Sequence, residues 1–281
     1  TLALYNPMDA QDLAARITER TRLVWLEAAG SVTMEFPDLP ALVRVCRERG
    51  VLCALDNTWG AGLAFNAFDL EPGQGADPLG VDLTIHALTK YPSGGGDVLM
   101  GSIITRDDAL ARTLKLSHMR MGTGVGANDV ELLLRSLPTL TMRYEAQDKA
   151  ARELAQWCLQ QTPFVQVLHP ALPDAPGHAH WQQLCVTADN PEGLAAGIFS
   201  VVMDARYSRE QVDNFCDALK LFKLGYSWGG PISLVVPYHM RHHRQLKAQH
   251  LKSDSVVRFC IGLESVEDLK QDIAQALLQM T

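Results

Sequence analysis

Three polar side chains stand where short apolar segments of the sequence end. Glu27 and Asp56 each close an apolar run, and a third run leads into Lys90. Because ligands of open α/β sheets bind beyond the carboxyl ends of the strands, these residues are expected to converge at one edge. A lysine partly buried there has a lowered pKa and exposes a nucleophilic lone pair. The pattern indicates a carbonyl-binding amine, and a surface lysine at the start of a loop is the alternative.

Asp56 and Arg258 add evidence on the chemistry of this edge. Asp56 favours the reactive amine, because a pyridine cofactor bound through lysine needs an acid near its ring nitrogen. Arg258 lies in the apolar run 256–262, where its charge cannot be removed by losing a proton and needs a partner. A substrate carboxylate and a structural carboxylate both remain open as that partner.

Other motifs in the sequence have weaker claims to chemistry. Residues 225–229 match the G-x-S-x-G pattern of serine hydrolases, but an extended segment follows them and no histidine follows the next acid, Asp254. The glycines at 94–96 lack the spacing of a phosphate loop. A histidine cluster could bind a metal, but it lies in a basic, polar stretch, which favours a solvated surface and no metal site; its members are His239, His242 and His243.

The hydrophobic pattern predicts an α/β fold with two parts. Helices and strands alternate in the first half, which indicates a mainly parallel sheet. The predicted helices are 9–20, 38–49 and 145–161, and the predicted strands are 22–27, 51–56, 81–86 and 98–104. The second half mixes strands at 197–203 and 256–262 with helices near 208–220 and 265–279, and residues 170–176 form a proline-rich loop. We expect a large domain over 1–145 and a smaller α+β domain over 146–281.

Composition excludes several classes of protein. The 281 residues include 25 basic and 32 acidic side chains, a net charge of −7 that argues against nucleic-acid or membrane-surface binding. No apolar run is long enough to span a membrane. The six cysteines are scattered through apolar stretches, so we expect reduced, buried thiols and a cytoplasmic location.

The sequence as a whole resembles the pyridoxal-phosphate (PLP) enzymes of cysteine and methionine metabolism, the cystathionine lyase and synthase family. An ordered series of motifs carries the resemblance: residues 26–35, 56–59, 88–91 with Gly94 and Asp97, 134–140, 169–173, 177–178, 226–230 and 258–264. The pairing of E-x-x-G-S-x-T-M-E with Y-S-W-G-G is similar to bacterial cystathionine β-lyases. The implied fold is that of fold type I PLP-dependent transferases, and the implied assembly is a homotetramer built from dimers.

The resemblance implies roles for four cofactor-binding residues. Lys90 would bind PLP through its amine and then remove the substrate Cα proton. Asp56 would pair with the pyridinium nitrogen and keep it protonated. Thr89 would donate to the phosphate, and Ser31 would lie near the hydroxyl of the cofactor ring.

The resemblance also implies the substrate and the reaction. Arg258 would bind the α-carboxylate of a sulfur amino acid, helped by Ser227 and Trp228. The implied reaction is β-elimination, which converts cystathionine into homocysteine, pyruvate and ammonia.

Family members have a longer N-terminal region that helps to bind the phosphate, and many carry a hydroxyl where Ala87 stands. We therefore expect the phosphate cup of this chain to be incomplete. A γ-lyase, a γ-synthase, a cysteine desulfhydrase-like enzyme and a non-catalytic family member remain alternatives.

Overall fold

A four-stranded sheet forms in the first half of the chain. The structure is a computed structural model and describes residues 2–73, 78–243, 245–246 and 248–280. The sheet has the order β1-β2-β3-β4, and its strands are β1 (Leu23–Glu27), β2 (Leu52–Asp56), β3 (Leu83–Ala87) and β4 (Gly101–Ile104).

The first sheet is mixed rather than mainly parallel. β1, β2 and β3 pair in parallel, but β4 runs antiparallel to β3. A parallel neighbour requires a crossover, usually a helix, whereas residues 88–100 between β3 and β4 form turns and no helix. The predicted parallel arrangement therefore holds for the first three strands, and the antiparallel fourth strand makes the sheet mixed.

Five α-helices occur among the described residues before Phe164. They are α1 (Ala10–Arg16), α2 (Leu39–Glu48), α3 (Asp108–Met121), α4 (Ala127–Ser136) and α5 (Leu140–Cys158). The Asp9 and Asp38 carboxylates accept hydrogen bonds from the first turns of α1 and α2, so both helices begin where the sequence predicts. The sequence analysis did not anticipate α3 and α4. α5 runs through residue 145, so the expected domain boundary falls inside a helix, and the division into two domains stays a prediction.

A second sheet of five strands forms in the other half of the chain. Its order is β5-β6-β9-β8-β7, and all pairs are antiparallel except β7–β8. The strands are β5 (Phe164–Leu168), β6 (Ile198–Met203), β7 (Lys223–Leu224), β8 (Leu234–His239) and β9 (Ser255–Cys260); the helices are α6 (His178–Cys185), α7 (Arg209–Ala218), α8 (Met240–His243) and α9 (Val266–Leu277). The predicted α+β pattern of this half is confirmed.

Buried polar contacts join the two sheets around the carboxyl ends of β1 to β3. The Tyr91 hydroxyl, just after β3, accepts a hydrogen bond from the Gly197 amide at 2.8 Å. The Tyr144 hydroxyl on α5 donates to the Trp59 carbonyl at 3.0 Å. The first of these bonds joins the segment that carries Lys90 to the second half of the molecule, and the second joins α5 to the segment after β2.

The cysteines are all free and buried, as predicted. Among the residues that the structure describes, no helix has the length and hydropathy that crossing a bilayer requires.

Candidate active site

A cavity of about 210 Å³ opens at the carboxyl ends of β1, β2 and β3. Its wall contains four of the predicted site residues together with Glu27; the lining is Glu27, Ser31, Asp56, Thr58, Trp59, Ala87, Lys90 and Trp228. Asp56 is the last residue of β2 and Glu27 that of β1, so the convergence predicted from strand ends is confirmed. A larger crevice of about 630 Å³ contains none of the predicted site residues.

Lys90 is a half-buried amine at the centre of this cavity. Its Nζ donates a hydrogen bond to the Ser227 Oγ at 3.0 Å and lies 5.3 Å from the centre of the Trp228 ring. Burial lowers the Lys90 pKa, and the nearby positive charge of Arg258 lowers it further, while Cys260 and Asp56 oppose the shift. The unprotonated, nucleophilic form of Lys90 is therefore more accessible than that of an exposed lysine.

Asp56 is oriented by the residue two positions after it. Its Oδ1 accepts hydrogen bonds from the Thr58 amide at 3.0 Å and from the Thr58 hydroxyl at 2.5 Å. The same hydroxyl accepts from the Ala87 amide at 2.9 Å, so Thr58 links the ends of β2 and β3. Thr58 lies within residues 56–59, one of the motifs that carry the resemblance, but no pattern in the sequence indicated a function for it.

Glu27 is a second carboxyl at the cavity, directly opposite Asp56 in the β1–β2 register. The residue is exposed overall, but protein atoms around its carboxyl and the neighbouring Asp56 raise its pKa to about 7. Hydrogen bonding from Ser31 opposes this shift. Glu27 therefore changes its charge near neutral pH, beside the amine of Lys90.

Arg258 reaches the same region from β9 in the second sheet. It is only 4% exposed, and its guanidinium donates to the Tyr226 carbonyl at 2.6 Å and to the Ser31 carbonyl at 3.3 Å. No carboxylate among the described residues lies within ion-pair distance of it. Of the two partners that the sequence left open, the structural carboxylate is thus not found in the described part of the chain.

The loop at 225–230 brings Ser227 and Trp228 to Lys90, and its Tyr226 carbonyl accepts a hydrogen bond from Arg258. Gly229 makes this approach possible: it has a φ of 75°, and a Cβ there would lie 2.8 Å from the Tyr91 nitrogen. The loop leads into β8 and not into a helix, which confirms that the G-x-S-x-G match is not a hydrolase elbow.

Thr89 and the histidine cluster lie apart from the cavity lining. The Thr89 hydroxyl exchanges hydrogen bonds with the Met100 backbone, accepting from its amide at 3.2 Å. The side chains of His242 and His243 lie outside the described residues. Among the residues described, no three His, Cys, Asp or Glu side chains are grouped so that they could hold a metal ion.

An α/β fold that brings a lysine of lowered pKa and a strand-end acid to one cavity, with a buried arginine nearby, is typical of proteins that bind carbonyl cofactors and amino acids. Residues 1–278 match the model of the Cys/Met metabolism PLP-dependent enzyme family. The chain belongs to this family, whose members depend on PLP, as the motifs predicted.

Relatives within the family carry more than one activity. The chain is 34% identical over 269 residues to a cystathionine beta-lyase of Bordetella avium, covering 95% of this chain and 63% of the relative. It is 32% identical over 279 residues to an L-alanine/L-glutamate racemase of Wolbachia pipientis wMel, covering 99% and 64%. Family membership alone therefore leaves the reaction open.

The fold agrees with a solved structure of the family. The crystal structure of metB from Corynebacterium glutamicum superposes with a TM-score of 0.83 at 26% identity, covering 99% of this chain and 68% of metB. The chain spans a little under two thirds of the length of the two relatives above.

The residues of the cavity fit PLP at two of its three functional ends. Lys90 has the chemistry to bind the aldehyde carbon, and Asp56 the chemistry to pair with the ring nitrogen. Ser31 and Thr58 supply hydroxyl groups, but Lys90 is the only cation among the described lining residues. The incomplete phosphate cup expected from the sequence stays a prediction.

Proposed function

We propose that this chain carries the lysine site of a PLP-dependent carbon–sulfur β-lyase, which cleaves L-cystathionine to homocysteine, pyruvate and ammonia. The observation that carries the proposal is the half-buried Lys90 amine with Asp56 in the same cavity and Arg258 lowering its pKa. The similarity to the Bordetella cystathionine beta-lyase supports the choice of reaction.

Lys90 performs the covalent step and the proton transfer in this proposal. PLP, when bound, supplies an electron sink for the pair left at the substrate Cα. Lys90 would hold the aldehyde carbon of PLP through its Nζ, and the same amine, once free, would accept the proton from the substrate Cα. Loss of that proton would allow the thiolate to leave from Cβ. The lowered pKa of Lys90 favours the unprotonated amine that this step requires.

The neighbours of Lys90 orient the groups that react. Ser227 accepts the Lys90 hydrogen bond and directs Nζ into the cavity. Asp56, oriented by Thr58, keeps a bound ring nitrogen protonated. Arg258 binds the α-carboxylate of the substrate, a planar ion that its planar fork of N–H donors matches.

We propose further that the working protein is a cytoplasmic homo-oligomer, a dimer or tetramer, acting on small sulfur amino acids. Thr89 and additional donors outside this chain would complete the phosphate contact.

The first test is the site of cofactor attachment. The purified chain is mixed with PLP and reduced with borohydride, which fixes the bond between lysine nitrogen and cofactor carbon, and the labelled peptide is mapped by mass spectrometry. We expect the label on Lys90. Lys90→Ala should abolish it, whereas Lys115→Ala on the exposed face of α3 should keep it. Labelling that survives Lys90→Ala, or no labelling of the wild-type chain, would contradict the proposal.

The second test is the product. Wild-type protein incubated with PLP and L-cystathionine should release pyruvate. Release of 2-oxobutyrate would identify γ-elimination instead. Conversion of L-alanine to D-alanine without elimination would indicate the activity named for the Wolbachia relative. A labelled Lys90 with no product from any of these substrates would support the non-catalytic alternative.

A further inference from the structure

Within the described ranges of the chain, no carboxylate lies at ion-pair distance from the guanidinium of Arg258. Its side chain is buried on β9, and two backbone carbonyls, those of Ser31 and Tyr226, accept two of its N–H bonds. An arginine has five N–H donors and cannot lose its charge, so a buried one needs further stabilisation. The surroundings of Arg258 must therefore provide it in another form.

Tyr238 provides an aromatic face beside that charge. It lies on β8, the strand next to β9, and is 8% exposed. The Arg258 Cζ lies 5.5 Å from the centre of the Tyr238 ring, within the range of a cation–π contact. The Tyr226 ring packs edge-on against the Tyr238 ring at 6.2 Å. The Tyr226 carbonyl and the Tyr238 ring, which both contact Arg258, therefore belong to two residues that pack against each other.

An aromatic ring differs from a carboxylate as a partner for a binding arginine. A buried Asp or Glu would neutralise the guanidinium and occupy its N–H fork. A ring face stabilises the positive charge through its quadrupole and occupies no N–H donor. Three of the five donors of Arg258 are not used by the two carbonyl bonds, which is enough for a bidentate carboxylate.

We propose that Tyr238 is a positioning residue for Arg258, which fixes the guanidinium in the orientation that receives the α-carboxylate of an amino acid. This inference rests on the proposed function of the site. It concerns the carboxylate end of the ligand and adds no step to the reaction.

The test compares two amino-acid ligands that differ in the carboxylate alone. PLP-loaded protein is titrated with L-alanine and with L-alaninamide, and each dissociation constant is read from the visible absorption of the cofactor. Wild-type protein should prefer L-alanine. Tyr238→Leu should reduce that preference roughly tenfold, since a desolvated cation–π contact has about that strength. Tyr238→Phe keeps the ring and should stay within about twofold of wild type.

A matched control removes the same kind of pair from elsewhere in the protein. Arg206 lies 4.9 Å from the Tyr207 ring, outside the cavity lining. Tyr207→Leu should leave the preference for L-alanine unchanged. If Tyr238→Leu kept the full preference while remaining folded, or if Tyr207→Leu reduced it equally, the inference would be wrong.

A second readout needs no cofactor. In the cofactor-free protein, the Arg258 Nε–H resonance, assigned with Arg258→Lys, should move when Tyr238→Leu removes the ring and should move little in Tyr238→Phe. An unchanged resonance in Tyr238→Leu would overturn the positioning role. A wild-type chain that binds no PLP would instead contradict the proposed function, and the resonance would still decide whether Tyr238 orients Arg258.

Discussion

The two sheets of this protein are packed to different degrees. All six residues of β6 in the second sheet are buried, and so are five of the six in β9. In the first sheet, no residue of β4 is buried, and the 14-residue helix α3 that follows it has no buried residue either. The exposed edge of the first sheet, β4 with α3, should therefore contribute less to the folding free energy than the central strands of the second sheet.

The loop after β3 is held from both halves. The Tyr91 ring packs against Tyr144 at 4.7 Å, and from the second half the Gly197 amide donates to the Tyr91 hydroxyl while Gly229 approaches the Tyr91 nitrogen. The second half thus helps to position the main reactive residue of the first half.

The largest expected effect is a core truncation in the second sheet. Phe259 on β9 contacts the rings of Phe199 and Phe222 at 5.3 and 5.1 Å and is fully buried. Phe259→Ala should lower the free energy of unfolding by about 3–5 kcal/mol, because it leaves a cavity. Met119→Ala on the exposed face of α3 should change it by less than about 0.5 kcal/mol. Urea unfolding of both variants measures the contrast, and equal effects would refute it.

Gly229→Ala should break the contact between the halves at the site. The new Cβ would combine a left-handed backbone with overlap on the Tyr91 nitrogen, a cost of about 2–4 kcal/mol. We expect loss of PLP labelling at Lys90 together with a lower melting temperature. Gly230→Ala is the matched control, since its Cβ would meet nothing closer than 4.0 Å. A Gly229→Ala protein with normal labelling would show that the approach of this loop does not position Lys90.

A buried histidine makes the second half sensitive to acid. Burial lowers the pKa of His169 to about 3, from an unfolded value near 6.5. Between these values the unfolded chain binds the extra proton, so the free energy of unfolding falls as pH drops below about 6.5, by about 2 kcal/mol at pH 5. His169→Asn should flatten this part of the stability profile, measured by urea unfolding from pH 5 to pH 7. An unaltered profile would assign the acid sensitivity to other groups.

Glu27 should make the free energy of unfolding depend on pH in the opposite direction. Its pKa is raised to about 7 by the surrounding protein and by Asp56, so the folded state binds the extra proton between about pH 4.5 and 7. The free energy of unfolding therefore falls as pH rises through this range, by about 1 kcal/mol or less because the residue is solvent-accessible. Glu27→Gln should remove this loss, and Glu19→Ala, an exposed acid away from the cavity, should not. Thermal melts from pH 5 to pH 8 compare the three proteins, and parallel curves would contradict the assignment.

Much of the fold was predictable from local pattern. The aspartates before α1 and α2 marked helix starts, and apolar runs located β1, β2 and β3 within two residues. The antiparallel direction of β4 was not predicted, because it depends on the path of residues 88–100 rather than on the composition of the strand. α3 has little amphipathic packing to predict, since none of its residues is buried.

The candidate site was also predicted only in part, because some of its residues follow a local pattern and others depend on contacts between distant segments. Residues at strand ends, Asp56 and Lys90, were found because the end of a parallel strand is itself a local signal. Thr58 and Tyr238 were missed, since a cross-strand hydroxyl bridge and a ring beside an arginine leave no spacing pattern in one sequence. All the roles assigned through the resemblance stay predictions; they belong to Lys90, Asp56, Thr89, Ser31, Arg258, Ser227 and Trp228.

The sequence by itself determined the chemistry available: an amine after one strand, a carboxyl after another, and an arginine in an apolar run that needed an anion. Local propensity and strand-end position decide these features, because they depend on neighbours along the chain. Only the tertiary structure decided the charge and direction of those groups. The pKa of Lys90 is lowered by burial and by an arginine 168 positions away in the sequence. Arg258 meets carbonyls and a ring because β8, β9 and the 225–230 loop converge there, and such convergence follows from packing between distant segments.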